Sequence, residues 1–270
     1  MVLVIKLEVN DLKEKEKFED KIEGLPSGIA ISWGLGKQPQ RGPKRELSIE
    51  QIVEAAIDIA DTEGLEALSM SRLASSLGFT PMSLYRYIPS KDDLLLLMQE
   101  KVTDIDYPNG EVETDWREKM RQYVRICIKV FQDHPWFSDI PITSVPVTPN
   151  QLKAVDMALR TTRNLPLNDY EKMSIVLLLS GYSRWCGIII KDMNKAIQTG
   201  KLPSEISGLD YTAALKKLVK QENYPDLYPV LMSGAYTEEN KEENPVGNDF
   251  DFGLERMLDG IEHYLLTKEK

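Results

Sequence analysis

Helix starts and stops crowd the stretch from Ser48 to Met98, and this punctuation restricts the chain there to short, separately capped helices. Ser48 followed by Gln51 makes an S-x-x-Q capping box, in which the hydroxyl and the amide satisfy backbone N–H groups that a helix start leaves open. Behind it Ile49, Ile52, Val53, Ala56, Ile57 and Ala60 recur at helical spacing until Gly64. A second helix is expected from an N-cap at Ser69 through Met70, Leu73, Ala74 and Leu77, with Gly78 ending it in a left-handed conformation. A third starts at Thr80, with Pro81 at the first helical position where a missing N–H costs nothing, and Pro89 closes it. Ser90 and Asp93 then cap an apolar helix through Leu94, Leu95, Leu97 and Met98.

Three short helices with a glycine turn between the second and third fit a helix-turn-helix, whose later helix lies in the DNA major groove. At ~100° per residue, turning Leu84 and Ile88 toward a core leaves Met82 and Arg86 on the opposite face, flanked by Ser83, Tyr85 and Tyr87. That face combines an apolar contact sized for a thymine methyl, a guanidinium able to grip guanine O6 and N7 together, and hydroxyls within reach of bases or phosphates. Open N–H groups beside Ser69 and Thr80 suit phosphate oxygens, and Lys91 follows at the next helix start.

The net charge of -10 argues against a nucleic-acid partner when taken as a sum, yet the distribution reverses the inference. Lys37, Arg41, Lys44 and Arg45 stand in a run without an acid, and they read as a flexible arm for the adjacent minor groove. Ahead of it, residues 1–36 mix lysine with glutamate and then pass into a linker. Gly24 to Pro43 holds five glycines and three prolines, which are expected to prevent a regular element, with Ile31, Trp33 and Leu35 as possible docking side chains. From about Asp104 onward the rhythm is helical throughout and no strand is evident. Tyr170 to about Asn194, capped by Asn168 and Glu171, is apolar nearly all round and so is expected to be buried on every side. Its longest unbroken apolar run, Ile175 to Leu179, is far below the ~20 residues of a membrane span, so no membrane partner and a cytoplasmic location are expected.

"LSIEQIVEAAIDIADTEGLEALSMSRLASSLGFTPMSLYRYIPSKDDLLLLM" closely resembles the DNA-binding domain of TetR-type transcriptional regulators, through its A-x-x-L-G, S-L-Y-R-Y and S-K-D-x-L-L elements. "DWREKMRQY", "DHPWF" and "FDFGLERMLDGIEHYL" are similar to the tetracycline-repressor-like C-terminal branch, and the lead-in "WGLGKQPQRGPKRELS" to a subgroup with an N-terminal extension. The resemblance implies DNA contacts at Ser71, Thr80, Met82, Ser83, Tyr85, Tyr87 and Lys91; family members often carry a basic residue in place of Ser71, and Arg72 beside it is expected on phosphate instead. It also implies that Tyr170 to Asn194 and Leu254 to Leu266 build an intersubunit four-helix bundle.

The expected fold is all-α: a basic arm at 37–47, a three-helix helix-turn-helix DNA-binding domain at 48–98, and a larger helical ligand-binding and dimerisation domain at 99–270. Catalysis is not expected. Gly181, Ser183 and Trp185 spell G-x-S-x-W without the last glycine of a nucleophile elbow, and Asp251-Phe252-Gly253 lacks every other kinase element. His134 and His263 have no neighbours at metal-ligand spacing, so neither metal nor cofactor is expected. Pockets between bundle helices are apolar with a few converging polar groups, and Tyr123, Cys127, Phe131, Met157, Tyr182, Ser183, Arg184 and Trp185 are the side chains expected to line one for an unidentified small-molecule effector. The function expected is a homodimeric regulator, released by that effector from a palindromic double-stranded operator. The alternative is a C-terminal domain that only dimerises or contacts protein.

Overall fold

A computed structural model describes residues 24–35, 47–105, 115–198, 209–237 and 249–268. Among these residues the regular structure is entirely helical: α1 Ser27–Ser32, α2 Ile49–Glu63, α3 Met70–Leu77, α4 Pro81–Tyr85, α5 Lys91–Val102, α6 Trp116–Asp133, α7 Pro149–Thr161, α8 Asp169–Gln198, α9 Leu209–Leu218, α10 Leu227–Met232 and α11 Asp249–Lys268, with short 3-10 turns at Leu65–Ala67 and Pro135–Asp139. Packing divides the chain into two units, Met1–Tyr107 with Asp139–Val155, and Pro108–Ser138 with Asp156–Lys270. Residues 99–105 and the segment 139–155 pack with the N-terminal helices, where Glu100 on α5 accepts the Asn150 N–H at the start of α7.

The first unit is built on local caps. Ser48 and Gln51 exchange both capping bonds, at 3.0 and 3.1 Å, and the Ser69 and Thr80 hydroxyls accept from the N–H groups of Arg72 and Ser83. Gly78 takes φ +75°, where its N–H and that of Phe79 close the end of α3 on the Ser75 and Ala74 carbonyls. Ile52, Ala56, Leu73, Ala74, Leu84, Ile88, Leu94 and Met98 are buried together beneath these helices. Each large member contributes about 1.5–3 kcal/mol by leaving water. Two expectations fail here. The glycine- and proline-rich lead-in does form a regular element, α1, because Gly28 sits against Asp93 of α5. The third helix of the motif also ends at Tyr85 rather than running to Pro89, since the N–H groups of Tyr87 and Ile88 both turn back to the Leu84 carbonyl.

In the second unit α6, α8 and α11 share a core of Met120, Tyr123, Val124, Ile175, Val176, Leu179, Leu254, Leu258, Ile261 and Leu265. Helix α8 is buried on only one side. Ile175, Val176 and Leu179 belong to that core and Ser183 and Cys186 are buried, whereas Tyr170 is 85% exposed and Leu177 74%, with Met173 and Trp185 on the same stripe. Residues 169–196 are long and apolar enough as a whole to cross a membrane, a property that the short unbroken runs concealed. The packing of one apolar face into this core accounts for part of that hydropathy.

Charged groups tie the outer helices to this core. Arg117 holds Glu255, Asp259 and Glu262 at 3.2, 2.6 and 2.8 Å, and Arg121 grips Glu255 in bidentate fashion at 2.5 and 2.9 Å. Asn168 and Glu171 cap α8 reciprocally, and the free oxygen of Glu171 accepts from Tyr264 and Lys268 at the end of α11. These donors hold both carboxyls well below the ordinary 4.5, at about 2: Glu255 through Arg121 first, and Glu171 through Lys268 first. A carboxyl depressed on folding stabilises above its unfolded pKa and loses that contribution as pH falls through the folded one. The midpoint of thermal unfolding is therefore expected to drop between pH 4.5 and about 2. Glu255→Gln should lower the midpoint at neutral pH and flatten the acid slope, as calorimetry across that range would register.

Candidate nucleic-acid interface and effector cluster

The outward face of α4 is arranged from beneath. Leu84 and Ile88 have no solvent exposure, and this fixes the rotation of α4 so that Met82, 69% exposed, points outward with Tyr85 and Arg86. Because α4 stops at Tyr85, Arg86 occupies its C-cap rather than a full helical turn, and Tyr87 is half-buried. The Ser83 hydroxyl shares a 3.0 Å hydrogen bond with Thr80, so both side chains are oriented by the cap before any partner arrives. Ser71 is exposed on α3. Arg72 beside it pairs with Glu63 at 2.6 Å, an exposed bridge that a phosphate would have to displace or share. Lys91 donates to the Leu68 carbonyl at 2.8 Å, pinning the turn ahead of Ser69 while its ammonium keeps other donors. Arg41, Lys44 and Arg45 lie outside the described residues.

The eight residues expected to line one effector pocket do not converge on one place. Tyr182, Ser183, Arg184 and Trp185 are consecutive in a helix, and at ~100° apiece they fan around α8. Tyr123 and Ser180 do meet, their hydroxyls 2.8 Å apart, and the Cys127 thiol lies beside Tyr123 and Ser183. Burial pushes that thiol up to about 11. Met157 packs against the same core. Phe131 and Arg184 turn instead toward Pro135–Asp139, where Phe131 stacks on Phe137 with centroids 5.2 Å apart and Arg184 donates to the Ser138 carbonyl at 2.7 Å. Tyr182 donates to the Phe250 carbonyl of α11, and its hydroxyl is pushed upward, mainly by burial. Trp185 is half-exposed beside Tyr182 and Phe250.

Ser183 is fully buried and donates to the Leu179 carbonyl, an arrangement unlike that of an exposed nucleophile. Sequence reasoning missed an open groove of about 580 Å³ between α8 and α11, lined by Tyr170, Ser174, Leu178, Met257, Gly260 and Tyr264 among others. Its one local signal is the pair of apolar helix stripes, which do not reveal the space between them.

Two family models match most of the chain. A family model described as "Bacterial regulatory proteins, tetR family" matches residues 52–98, and "Tetracyclin repressor-like, C-terminal domain" matches residues 108–265. The HTH-type transcriptional repressor DrrR1 of Streptomyces coeruleorubidus is 32% identical over 238 residues, covering 87% of this chain and 84% of that protein. The TetR family protein ActR of Streptomyces coelicolor, in its crystal structure with actinorhodin, has a TM-score of 0.65 at 26% identity over 83% of this chain and 97% of its own. Its complex with (S)-DNPA gives a TM-score of 0.62, also at 26% identity, over 82% and 98%. With the helix-turn-helix and most of the helical remainder matched, this chain belongs to the TetR family of bacterial transcriptional regulators, as a DNA-binding regulator with an all-helical C-terminal domain.

Proposed function

We propose that this regulator is a repressor that binds a palindromic operator as a homodimer and is released by a small molecule. The observation that carries the DNA role is the outward set Met82, Ser83, Tyr85 and Arg86 on a helix whose inner residues are wholly buried. Met82 and Arg86 read bases, Ser83 supports them, and Tyr85, Tyr87 and Lys91 reach toward phosphates. Ser69, Ser71, Arg72 and Thr80 place the start of each helix against the backbone. Arg41, Lys44 and Arg45 add salt-dependent affinity. Arg86→Ala combined with Tyr87→Phe is expected to cost about 1–3 kcal/mol of discrimination per half-site and so weaken operator preference markedly while leaving the dimer folded. An unchanged ratio of operator to unrelated-duplex affinity at fixed salt would remove the face from consideration.

One short reading helix spans few base pairs, so two copies about one or more helical turns apart are required for specificity. The exposed stripe Tyr170, Met173, Leu177 and Trp185 on α8, with Phe252, Tyr264 and Leu266 on α11, supplies an apolar face for a second copy. Leu177→Glu should yield a folded monomer in sedimentation velocity, with unchanged helical content and lost operator binding.

Release by a ligand is supported by the likeness to ActR, which is crystallised with actinorhodin and with (S)-DNPA. The interior group Tyr123, Cys127, Ser180 and Ser183 is the set of hydrogen-bonding side chains best placed to recognise such a molecule. Any molecule that binds the native state at about a hundred times its Kd stabilises it by ~2.7 kcal/mol. A thermal-shift screen that includes actinorhodin is expected to find an upward shift, weakened by Tyr123→Phe. A screen in which no compound shifts the midpoint favours a C-terminal domain that serves dimerisation alone.

A further inference from the structure

Helix α1 and the residues after it lie outside both matched family segments, 52–98 and 108–265, and no role follows for them from the family. Their contacts are nevertheless specific. The Gly28 N–H donates to Oδ1 of Asp93 at 2.6 Å. A Cβ at position 28 would stand 2.8 Å from that oxygen and 3.1 Å from the Asp93 Cα, so any larger residue must push α1 and Asp93 apart. The other oxygen of Asp93 accepts from the Ser90 hydroxyl at 2.7 Å, while Ser90 in turn accepts from the Asp93 N–H. Asp93 thus joins α1 to the cap that separates the reading helix from α5.

The far end of the same short segment grips the loop ahead of α7. Trp33 donates from Nε1 to the Val147 carbonyl at 2.9 Å. Next to it, both oxygens of Glu100 accept from the Asn150 N–H, at 2.9 and 3.0 Å, and the Asn150 amide returns a bond to the Glu100 carbonyl at 3.1 Å. Between these grips lies Thr148, fully buried, whose hydroxyl has no partner among the described residues. An unpaired buried hydroxyl destabilises its own segment, so the neighbouring bonds must hold the loop in place.

We propose that residues 24–35 are an intramolecular clasp that fixes the loop before α7 to helix α5, making Gly28 and Trp33 positioning residues for the reading helix. The positioning role rests on the DNA-reading function proposed above. The clasp contact itself does not.

The test uses the full chain with Trp33→Phe, which keeps an aromatic ring and removes the N–H, and with Gly28→Ala, which sets a methyl group against Asp93. Hydrogen exchange is followed for amides at 91–98 and 139–150. Affinity is measured for a duplex selected from random DNA by the wild-type protein and for an unrelated duplex of equal length, at the same salt. Loss of one such bond is expected to speed exchange in both segments and weaken the selected duplex about five- to tenfold, with unrelated-duplex affinity and dimerisation unchanged. Unchanged exchange in both variants overturns the clasp. Faster exchange with an unchanged ratio of the two affinities makes the contact merely structural and overturns the positioning role. If the wild-type chain prefers no duplex, the proposed DNA reading and the positioning role both fail, and the exchange result alone decides whether the clasp exists.

Discussion

A helix of five residues has no stability of its own, because nucleation fixes several residues for a single hydrogen bond. The reading helix α4 exists because Leu84 and Ile88 are buried beneath it and Thr80 caps its start. Everything attributed to its outer face depends on that burial. The same two side chains that remove apolar surface from water also set the rotation that sends Met82, Tyr85 and Arg86 outward. Stability and recognition are therefore properties of opposite sides of one short element, and neither can be altered at the helix axis without the other.

A similar division governs α8, over a far greater length. One face joins the core with α6 and α11, while the other leaves Tyr170 and Leu177 open to solvent in a single chain. The ion-pair groups work around the edges of this helix pair: Glu171 staples the start of α8 to the end of α11, and Glu255 ties α11 to α6. Their carboxylates face water on at least one side, so their value lies in fixing which surfaces of the helices meet, more than in net energy. Inside, the Tyr123 and Ser180 hydroxyls satisfy each other and Ser183 donates to the Leu179 carbonyl, which makes these polar groups tolerable in an otherwise apolar interior.

The local helix caps of both units were legible in the sequence. Ser48 with Gln51, Ser69, Thr80, Gly78 and Asn168 with Glu171 all act within a few residues of themselves, and the structure places each where the sequence put it. What failed was of another kind. Tyr182 through Trp185, expected together at one pocket, are adjacent in sequence, and helical geometry sends adjacent residues to different sides. The glycines before residue 36 read as helix breakers, yet Gly28 is the residue that lets α1 approach Asp93.

The sequence by itself determined the order of short helices, their caps, the outward chemistry of the reading helix and the family, since each is carried by residues that interact along a few turns of chain. Tertiary structure decided which face of α8 is buried, where the interior polar groups meet, and that residues 139–155 and 24–35 both belong with the DNA-binding unit. Those outcomes depend on partners separated by tens of residues, such as Gly28 with Asp93 and Trp33 with Val147, and no local periodicity encodes a contact between segments so far apart in the chain.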